Sequence, residues 1–405
     1  MSSNQKDDPT SIETSAPATI WTKAFITLFF SNMVFNLGIS MSNTLLALYL
    51  RSLGASASTI GLVTGSFAIS AILLRLVAAP IMDVYNRKYL IMIAACIMST
   101  VFFGYSISVT IPMVTAFRIL HGCGLAFGNA SSLALVSEML PRDQYNKGIG
   151  YYSLAQVITT AIGPTIGLMM VDEVGFRITY TMNAVLTLSS VIMVSLLKTD
   201  FVRTKKLHFA LRNSISREAL MPMSLVLILI AGGSSVGSFL VVFAREQGIT
   251  SNVGLYFTVS AITMMVSRPF IGKLIDRYGL VKIMIPALLC NVISYFVISF
   301  SAVLLGFLLA GFIAAFGQGA CQPAVQGLSL KSVPPDRRGA ASSTMYIGQD
   351  IGSMIGPILS GHVAETVGFV SMWRIMSVIY IIAIVIVMGF RKTINKVESA
   401  FASQR

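Results

Sequence analysis

Apolar runs long enough to cross a membrane recur along almost the whole chain. A helix needs about 20 mostly apolar residues to span the hydrocarbon core, and charges, Gly-Pro pairs and polar clusters mark where such runs end. The breaks leave twelve candidate segments, at residues 22–50, 57–81, 89–108, 111–136, 148–170, 177–197, 221–243, 252–272, 282–301, 304–329, 340–363 and 369–390. This pattern predicts an all-α protein with twelve transmembrane helices.

The longest polar break, from Lys198 to Leu220, divides the segments into six and six. The first residues are polar and lack the apolar core of a signal peptide, which favours a disordered cytosolic tail. The predicted domains are therefore a cytosolic tail at 1–21, a six-helix bundle at 22–197, a cytoplasmic central loop at 198–220, a second six-helix bundle at 221–390 and a cytosolic tail at 391–405.

Composition and charge placement support the membrane assignment. Only 11% of the residues are charged, whereas soluble domains carry about 25%. Most of the 29 Lys and Arg residues, Arg75 included, fall at predicted cytoplasmic loops or helix ends, and the outside keeps only Arg51, Arg177, Arg245 and Arg374. Short cytoplasmic loops retain basic residues. The net charge of +13 therefore indicates cytosolic termini in a cell membrane, such as a bacterial inner membrane, and not nucleic-acid binding.

An internal repeat appears when the chain is shifted by 193 residues against itself. Arg75 then falls on Arg268, Asp83 on Asp276, Gly163-Pro164 on Gly356-Pro357, and Gly175 on Gly368. Two six-helix halves in the same orientation, related by an axis along the membrane normal, are typical of transporters that rock around a central site.

The loops that follow the second segment of each half are similar to a signature of the major facilitator superfamily, most closely of its twelve-helix drug/proton antiporter branch. The second copy runs from Arg268 to Gly279, and the first departs from it at Ala79, Val84 and Asn86. The resemblance implies a multi-pass fold of two pseudo-symmetric six-helix bundles and a cytoplasmic gate formed by Arg75, Asp83, Arg87, Arg268, Gly272, Asp276 and Arg277. The alternative is that each carboxylate only caps a helix or pairs with a nearby Arg.

Arg118 lies inside the fourth segment, in a run to Ala126 that resembles a second family motif. The resemblance implies a role in proton coupling. A guanidinium inside a membrane helix is costly unless it faces protein or water, so Arg118 is a functional candidate on physical grounds as well. The alternative is a structural Arg held by carbonyl groups of neighbouring helices. We interpret the nearby His121 as a packing residue.

Glycine and proline recur together in the fifth and eleventh segments. Gly163 and Pro164, with their copies Gly356 and Pro357, resemble the antiporter motif of the same branch. Small residues permit close helix approach, and Pro removes one backbone hydrogen bond. These four residues are predicted hinges for rocking.

Asp350 is the one acidic residue that the segment map puts clearly in the middle of a helix. Intramembrane carboxylates mark ion and proton pathways. We therefore hypothesise that Asp350 binds the coupling proton or contacts substrate. The alternative is a structural hydrogen bond or ion pair with a neighbouring helix.

Polar side chains recur at helical spacing on several segments and define a wet face. Together with the neighbours of Asp350, they give the predicted substrate-binding set: Asn32, Asn36, Asn43, Tyr152, Gln156, Gln318, Gln322, Tyr346 and Gln349. Amide and phenol groups with one Arg and one Asp favour a neutral, zwitterionic or weakly charged small molecule.

These features predict a secondary active transporter that moves a small molecule by alternating access, with proton-coupled efflux favoured over proton symport or facilitated uptake. A channel or receptor is the alternative from another class, and the repeat and paired loops disfavour both. The chain has no P-loop lysine motif or HExxH pattern, the signatures of phosphate-binding and zinc sites, and we expect no enzyme activity, cofactor or metal. The expected partners are the substrate, protons and the lipid bilayer, and the expected state is a monomer.

Overall fold

The computed structural model describes residues 19–141, 144–198, 216–334 and 337–402, and the regular structure in these ranges is helical. The first half contains α1 (Lys23–Ser52), α2 (Ala57–Gly65), α3 (Phe67–Val84), α4 (Arg87–Ile107), α5 (Ile111–Met139) and α6 (Tyr145–Ser195). A 3-10 turn at Arg217–Ala219 precedes α7 (Leu220–Glu246), α8 (Leu255–Tyr278), α9 (Leu280–Phe300), α10 (Leu304–Lys331), α11 (Arg338–Met376), α12 (Val378–Gly389) and α13 (Arg391–Ala402).

Short polar side chains determine where three helices of the first half begin. The Thr22 hydroxyl accepts a hydrogen bond from the Phe25 amide at the start of α1, and Ser56 and Asn86 cap α2 and α4 in the same way. Each cap satisfies one of the amides that the first turn of a helix leaves unpaired.

The 51-residue α6 consists of two membrane spans joined at Gly175. Gly163 packs against Ser40, and Ser190 hydrogen-bonds Ser31, so residues 27 apart in α6 touch residues only nine apart in α1. A straight helix rises about 1.5 Å per residue and cannot do this. The chain therefore reverses at Gly175, whose φ of 75° favours glycine.

The second half reverses in the same way inside α11. Gly348 packs against Met223 and Tyr380 against Gly232, on either side of Gly368, which has φ of 80°. Ten helices of the described chain are long and apolar enough to cross a membrane. Because two of them turn back on themselves, the described residues form twelve spans, and the predicted fold class is confirmed.

Two details differ from the predicted segments. The span predicted at 57–81 is interrupted at Ser66, which separates α2 from α3, and the Ser66 hydroxyl donates to the Val63 carbonyl. Most of the chain after residue 390 is the helix α13, which docks through Ile394, fully buried, and through an ion pair between Lys331 and Glu398 at 2.8 Å.

The terminal face of the bundle is the end where α1 begins and α13 lies, and the opposite face is the end where the chain turns at Gly175 and Gly368.

The predicted hinges do not bend the backbone away from helical angles, since Gly175 and Gly368 are the only non-helical residues inside α6 and α11.

Candidate functional site: a cavity between the two halves

A cavity of about 480 Å³ lies between the halves, towards the terminal face. Ligand sites for small molecules usually measure about 300–1,000 Å³. Its described lining comes from α1, α3, α5, α6, α10 and α11: Asn32, Asn36, Arg75, Leu125, Asn129, Ala130, Leu133, Tyr152, Ser153, Gln156, Gln322, Gln326, Tyr346, Gln349, Asp350 and Ser353.

Most of the residues predicted to bind substrate line this cavity. They are Asn32, Asn36, Tyr152, Gln156, Gln322, Tyr346 and Gln349, and Asp350 lies beside them. Asn43 and Gln318 do not line it. Asn43 accepts a hydrogen bond from Arg118 at 3.1 Å, and Gln318 lies one turn before Gln322 on α10.

Asp350 forms an ion pair with Arg75 across the two halves. The carboxylate accepts hydrogen bonds from Nε at 2.7 Å and from Nη2 at 3.2 Å, and the Arg75 guanidinium lies 4.9 Å from the ring centre of Tyr346. Two parallel bonds from one guanidinium make a strong, well-oriented pair. The wall of the cavity therefore contains a neutralised pair of charges, and Asp350 is only 8% exposed.

Arg75 was predicted at a cytoplasmic loop or helix end, but the structure pairs it with Asp350 inside the bundle. Arg75 lies nine residues before Val84, the last residue of α3. Its distance from the loop that follows was the available signal, because a helix rises about 1.5 Å per residue.

Arg118 lies outside the cavity, 4% exposed. Its Nε and Nη2 donate to the Thr64 carbonyl at 3.2 and 3.0 Å, and its guanidinium lies 4.5 Å from the ring centre of Phe67. Since α2 ends at Gly65, Thr64 is in its last turn, where carbonyls lack intrahelical partners. These contacts are those of the structural alternative for Arg118.

Glycines bring the halves together at the opposite face. A Cβ atom on Gly61 of α2 would collide with the Pro357 carbonyl of α11. At the equivalent crossing of the internal repeat, a Cβ on Gly254, next to α8, would lie 2.8 Å from the backbone of Thr165 in α6. Such close backbone contact leaves no room for a ligand at this end.

Polar contacts reinforce the same seam. Arg51 pairs with Glu246, and Arg245 with both oxygens of Asp172, each at 2.7 Å. Glu365 accepts hydrogen bonds of 2.8 Å from the Ser56 hydroxyl and the Ser58 amide, at the start of α2.

The residues predicted to form the gate lie towards the terminal face, away from this seam. Arg87 pairs with Glu138 of its own half, and Arg268, Gly272, Asp276 and Arg277 are exposed. The side chain of Asp83 lies outside the described residues. Among the residues described at the terminal face, no ion pair joins the two halves.

The predicted hinges lie at close helix contacts. A Cβ on Gly163 would lie 2.7 Å from Ser40, and one on Gly356 would collide with the Ala231 carbonyl. Pro164 and Pro357 lie inside helices, and the Pro357 backbone forms part of the α2–α11 contact.

Comparisons with known proteins agree with this architecture. The family model of the Major Facilitator Superfamily matches residues 28–250 and 223–405. An uncharacterised MFS-type transporter of Methanocaldococcus jannaschii is 24% identical over 383 residues, 90% of this chain and 95% of the relative. The multidrug resistance efflux pump PmrA of Streptococcus pneumoniae is 24% identical over 84% of this chain and 89% of its own, and the multidrug resistance protein MdtG of Yersinia enterocolitica is 24% identical over 90% and 92%.

Solved structures share the fold at low identity. A bacterial homologue of the human lysosomal transporter Spinster, solved in an inward-facing, unoccupied conformation, superposes with a TM-score of 0.77 at 15% identity, over 92% of this chain and 97% of its own. The nucleoside transporter NupG gives a TM-score of 0.75 at 14% identity, over 92% of this chain and 100% of its own.

Proposed function

The chain belongs to the major facilitator superfamily and is a multi-pass membrane transporter, and we propose that it exports a small molecule in exchange for protons. The observation that supports this proposal best is the ion pair between Arg75 and Asp350, which joins the two halves at the wall of the cavity.

Protonation of Asp350 would remove the charge that holds Arg75. The bond between α3 and α11 would weaken, and the two halves would separate more easily at this depth. When Arg75 pairs with the carboxylate again, Asp350 releases its proton. Asp350 is thus the proposed proton site and Arg75 the group that expels the proton, while Arg118 has a structural role.

Exchange follows from the position of the carboxylate. Asp350 lines the same cavity as the predicted substrate-binding residues, and we propose that proton binding to its carboxylate and solute binding in this cavity compete. Competition for one site gives antiport, because each face releases one ligand as it takes up the other. One relative is named as a multidrug resistance efflux pump and another as a multidrug resistance protein, which supports the outward direction.

The orientation is part of the proposal. The terminal face carries Arg87, Lys88, Lys331 and Arg337 near its helix ends, and basic loops stay in the cytosol. In this orientation both termini are cytosolic and the cavity faces the cytosol. The transporter works in the plasma membrane as a monomer, with protons and a small molecule as its ligands, without nucleic acid and without enzyme activity.

The loops around Asp83 and Asp276 have a proposed role in the other half of the cycle. When the opposite face opens, the terminal face must close, and these loops lie at that end. The Gly-Pro pairs at 163–164 and 356–357 lie beside the seam that must open and are the proposed hinges.

Transport in sealed proteoliposomes tests the proposal, with a solute first found by thermal-shift screening of the purified protein. We expect a pH gradient to drive the solute uphill, opposite to the proton flow. Asp350→Asn should abolish this accumulation and keep solute-for-solute exchange. Glu398→Gln, at the distant pair with Lys331, is the matched control and should transport normally.

Three results would contradict the proposal. Accumulation by Asp350→Asn that still followed the pH gradient would remove the coupling role of this carboxylate. Uptake in the direction of proton flow would indicate symport, and exchange without any response to pH would indicate a facilitative carrier.

A further inference from the structure

We propose that the cavity binds an uncharged solute rich in hydroxyl or amide groups, and that Gln156 and Gln349 select it. This inference rests on the proposed function only in treating the cavity as the transport site.

Amide side chains dominate the lining. Of its sixteen residues, seven are Asn or Gln. The three asparagines form a network, in which Asn36 Nδ2 donates to Asn32 Oδ1 at 2.8 Å and to Asn129 Oδ1 at 3.3 Å. The four glutamines differ, because the described chain offers none of their side chains a hydrogen bond: Gln156, Gln322, Gln326 and Gln349.

Free glutamine amides give the cavity unused hydrogen-bonding capacity. Each amide has two N–H donors and one carbonyl acceptor. A solute with several hydroxyl or amide groups can satisfy both kinds at once. A site that must hydrogen-bond its ligand discriminates strongly against analogues that lack the partner groups.

The internal repeat distributes these amides over both halves. The shift of 193 residues pairs Gln156 with Gln349 and Asn129 with Gln322, and all four line the cavity. A solute held between Gln156 and Gln349 contacts one helix of each half, α6 and α11. Such a solute can keep both contacts while the halves rock around it.

The charges of the cavity disfavour ions. Among the described lining residues only Arg75 and Asp350 are charged, and they neutralise each other at 2.7 Å. A cationic solute would have to take Asp350 from Arg75 and leave a guanidinium unpaired, and an anion would do the reverse. Leaving one partner of a desolvated pair without its counter-ion is costly.

The aromatic groups are also poorly placed for a lipophilic cation. Such ligands bind over open aromatic faces. The guanidinium of Arg75 already lies over Tyr346, and Tyr152 is only 4% exposed. The aliphatic lining is confined to Leu125, Ala130 and Leu133 on α5, so one wall of the cavity is apolar and the rest is polar.

Ligand-dependent thermal unfolding of the purified full chain tests this inference, since a bound ligand raises the unfolding temperature. The probes are uridine and mannitol as neutral solutes, tetraphenylphosphonium as a lipophilic cation and benzoate as an anion. We expect at least one neutral probe to stabilise the protein and the two ions to have no effect at equal concentration.

Substitutions then locate the site. Gln156→Leu and Gln349→Leu should each weaken binding of the neutral probe by up to about tenfold, the loss expected for one hydrogen bond. Gln318→Leu, on α10 but outside the cavity lining, is the control and should bind normally. Gln156→Met and Gln349→Met keep side-chain length and serve if a Leu variant unfolds at a lower temperature without ligand.

The proposal is overturned if tetraphenylphosphonium or benzoate stabilises the protein and the neutral probes do not, if no neutral probe has any effect, or if the glutamine variants bind like the wild type. Binding needs no pH gradient. A neutral solute that binds in the cavity but is not accumulated would therefore leave the solute class intact and contradict only the proton coupling.

Discussion

The two crossings that join the halves have the same origin in the repeat but different chemistry. In one, α2 and α3 cross α11, and in the other, α8 crosses the first span of α6. Both use a glycine against the Gly-Pro region of the partner, Gly61 at Pro357 and Gly254 at Thr165. Their close packing is therefore common to both halves.

The ion pair between Arg75 and Asp350 distinguishes the two crossings. Arg75 of the first pairs with Asp350, but its copy Arg268 is exposed, and the residue that corresponds to Asp350 is Val157. The repeat thus preserves the packing of the seam on both sides, whereas the carboxylate is present on one side only. A proton that acts through this carboxylate acts on one crossing.

The largest expected effect comes from removing the ion pair between Arg75 and Asp350. Asp350→Leu leaves the Arg75 guanidinium without its carboxylate and should lower the free energy of unfolding by about 3 kcal/mol. The double variant Arg75→Leu with Asp350→Leu should recover most of this loss, because apolar residues often replace both members of a pair at little cost. Denaturant titration in micelles measures both.

Arg268→Leu is the matched variant in the second crossing, which has no counterpart of Asp350. Arg268 has no acidic partner within the described chain, and its Nη2 lies 3.1 Å from Met264 Sδ. Its replacement should change stability by less than about 0.5 kcal/mol, as exposed substitutions usually do. An equal loss from Arg75→Leu and Arg268→Leu would contradict the asymmetry.

A smaller effect is expected from the shared packing. Gly61→Ala inserts a methyl group against the Pro357 carbonyl, and overpacking costs about 1–3 kcal/mol, so the population open at the opposite face should rise about tenfold. Gly254→Ala should act in the same direction but less. A cysteine introduced at Met354, with the four native cysteines replaced by Ser, reports opening through its labelling rate.

Gly237→Ala controls for the effect of Ala on helix propensity, because a Cβ there meets nothing within 4 Å. Its labelling rate should match the parent. If Gly61→Ala left the rate unchanged as well, the α2–α11 contact would not be what closes the opposite face.

The smallest effect concerns Glu365, at the exposed end of the α11 span that precedes Gly368. Hydrogen bonds from Ser58 and Ser56 hold the pKa of its carboxyl below the ordinary value. The ionised carboxylate therefore stabilises the closed seam at pH values above its ordinary pKa. This stabilisation is lost as the pH falls through the lowered pKa. Labelling at Met354 should be constant near neutral pH and rise only below about pH 4.3.

Glu365→Gln should remove this acid response. The corresponding residue of the other crossing is Asp172, which pairs with Arg245. An acid response that survived in Glu365→Gln would assign it to another group of the seam.

The reversals of the chain were within reach of the sequence. Polar interruptions and glycine mark both of them, and the shift of 193 residues carries Gly175 onto Gly368. Such signals are local, because a turn between two spans needs particular residues at the turn itself. The predicted segments on either side of both glycines follow the spans in the structure.

The sequence indicated only one member of the ion pair between Arg75 and Asp350. Asp350 stands out, since a single carboxylate inside an apolar helix is conspicuous in any sequence. Arg75 does not, because it precedes a basic loop and its partner is 275 residues away. Pairing between distant helices depends on how the halves pack, and no periodicity along one helix encodes it.

The level at which the cavity ends could not be predicted from the sequence. Gln318 and Gln322 are one turn apart on α10 and look equivalent as part of a polar stripe. Only Gln322 lines the cavity. The boundary between them is set by the level at which the two halves close on each other.

The reach of Arg75 has a mechanical consequence. From Gly65 to Arg75 the first half advances ten residues, but their contacts on α11, Met354 and Asp350, are only four residues apart. The Arg75 side chain therefore joins the halves where their backbones are farther apart than at Gly65. It can swing and extend while its end stays bound, so the halves can rock through a limited angle before the bond fails. If Asp350 couples transport as proposed, release of this bond is a threshold in the rocking motion.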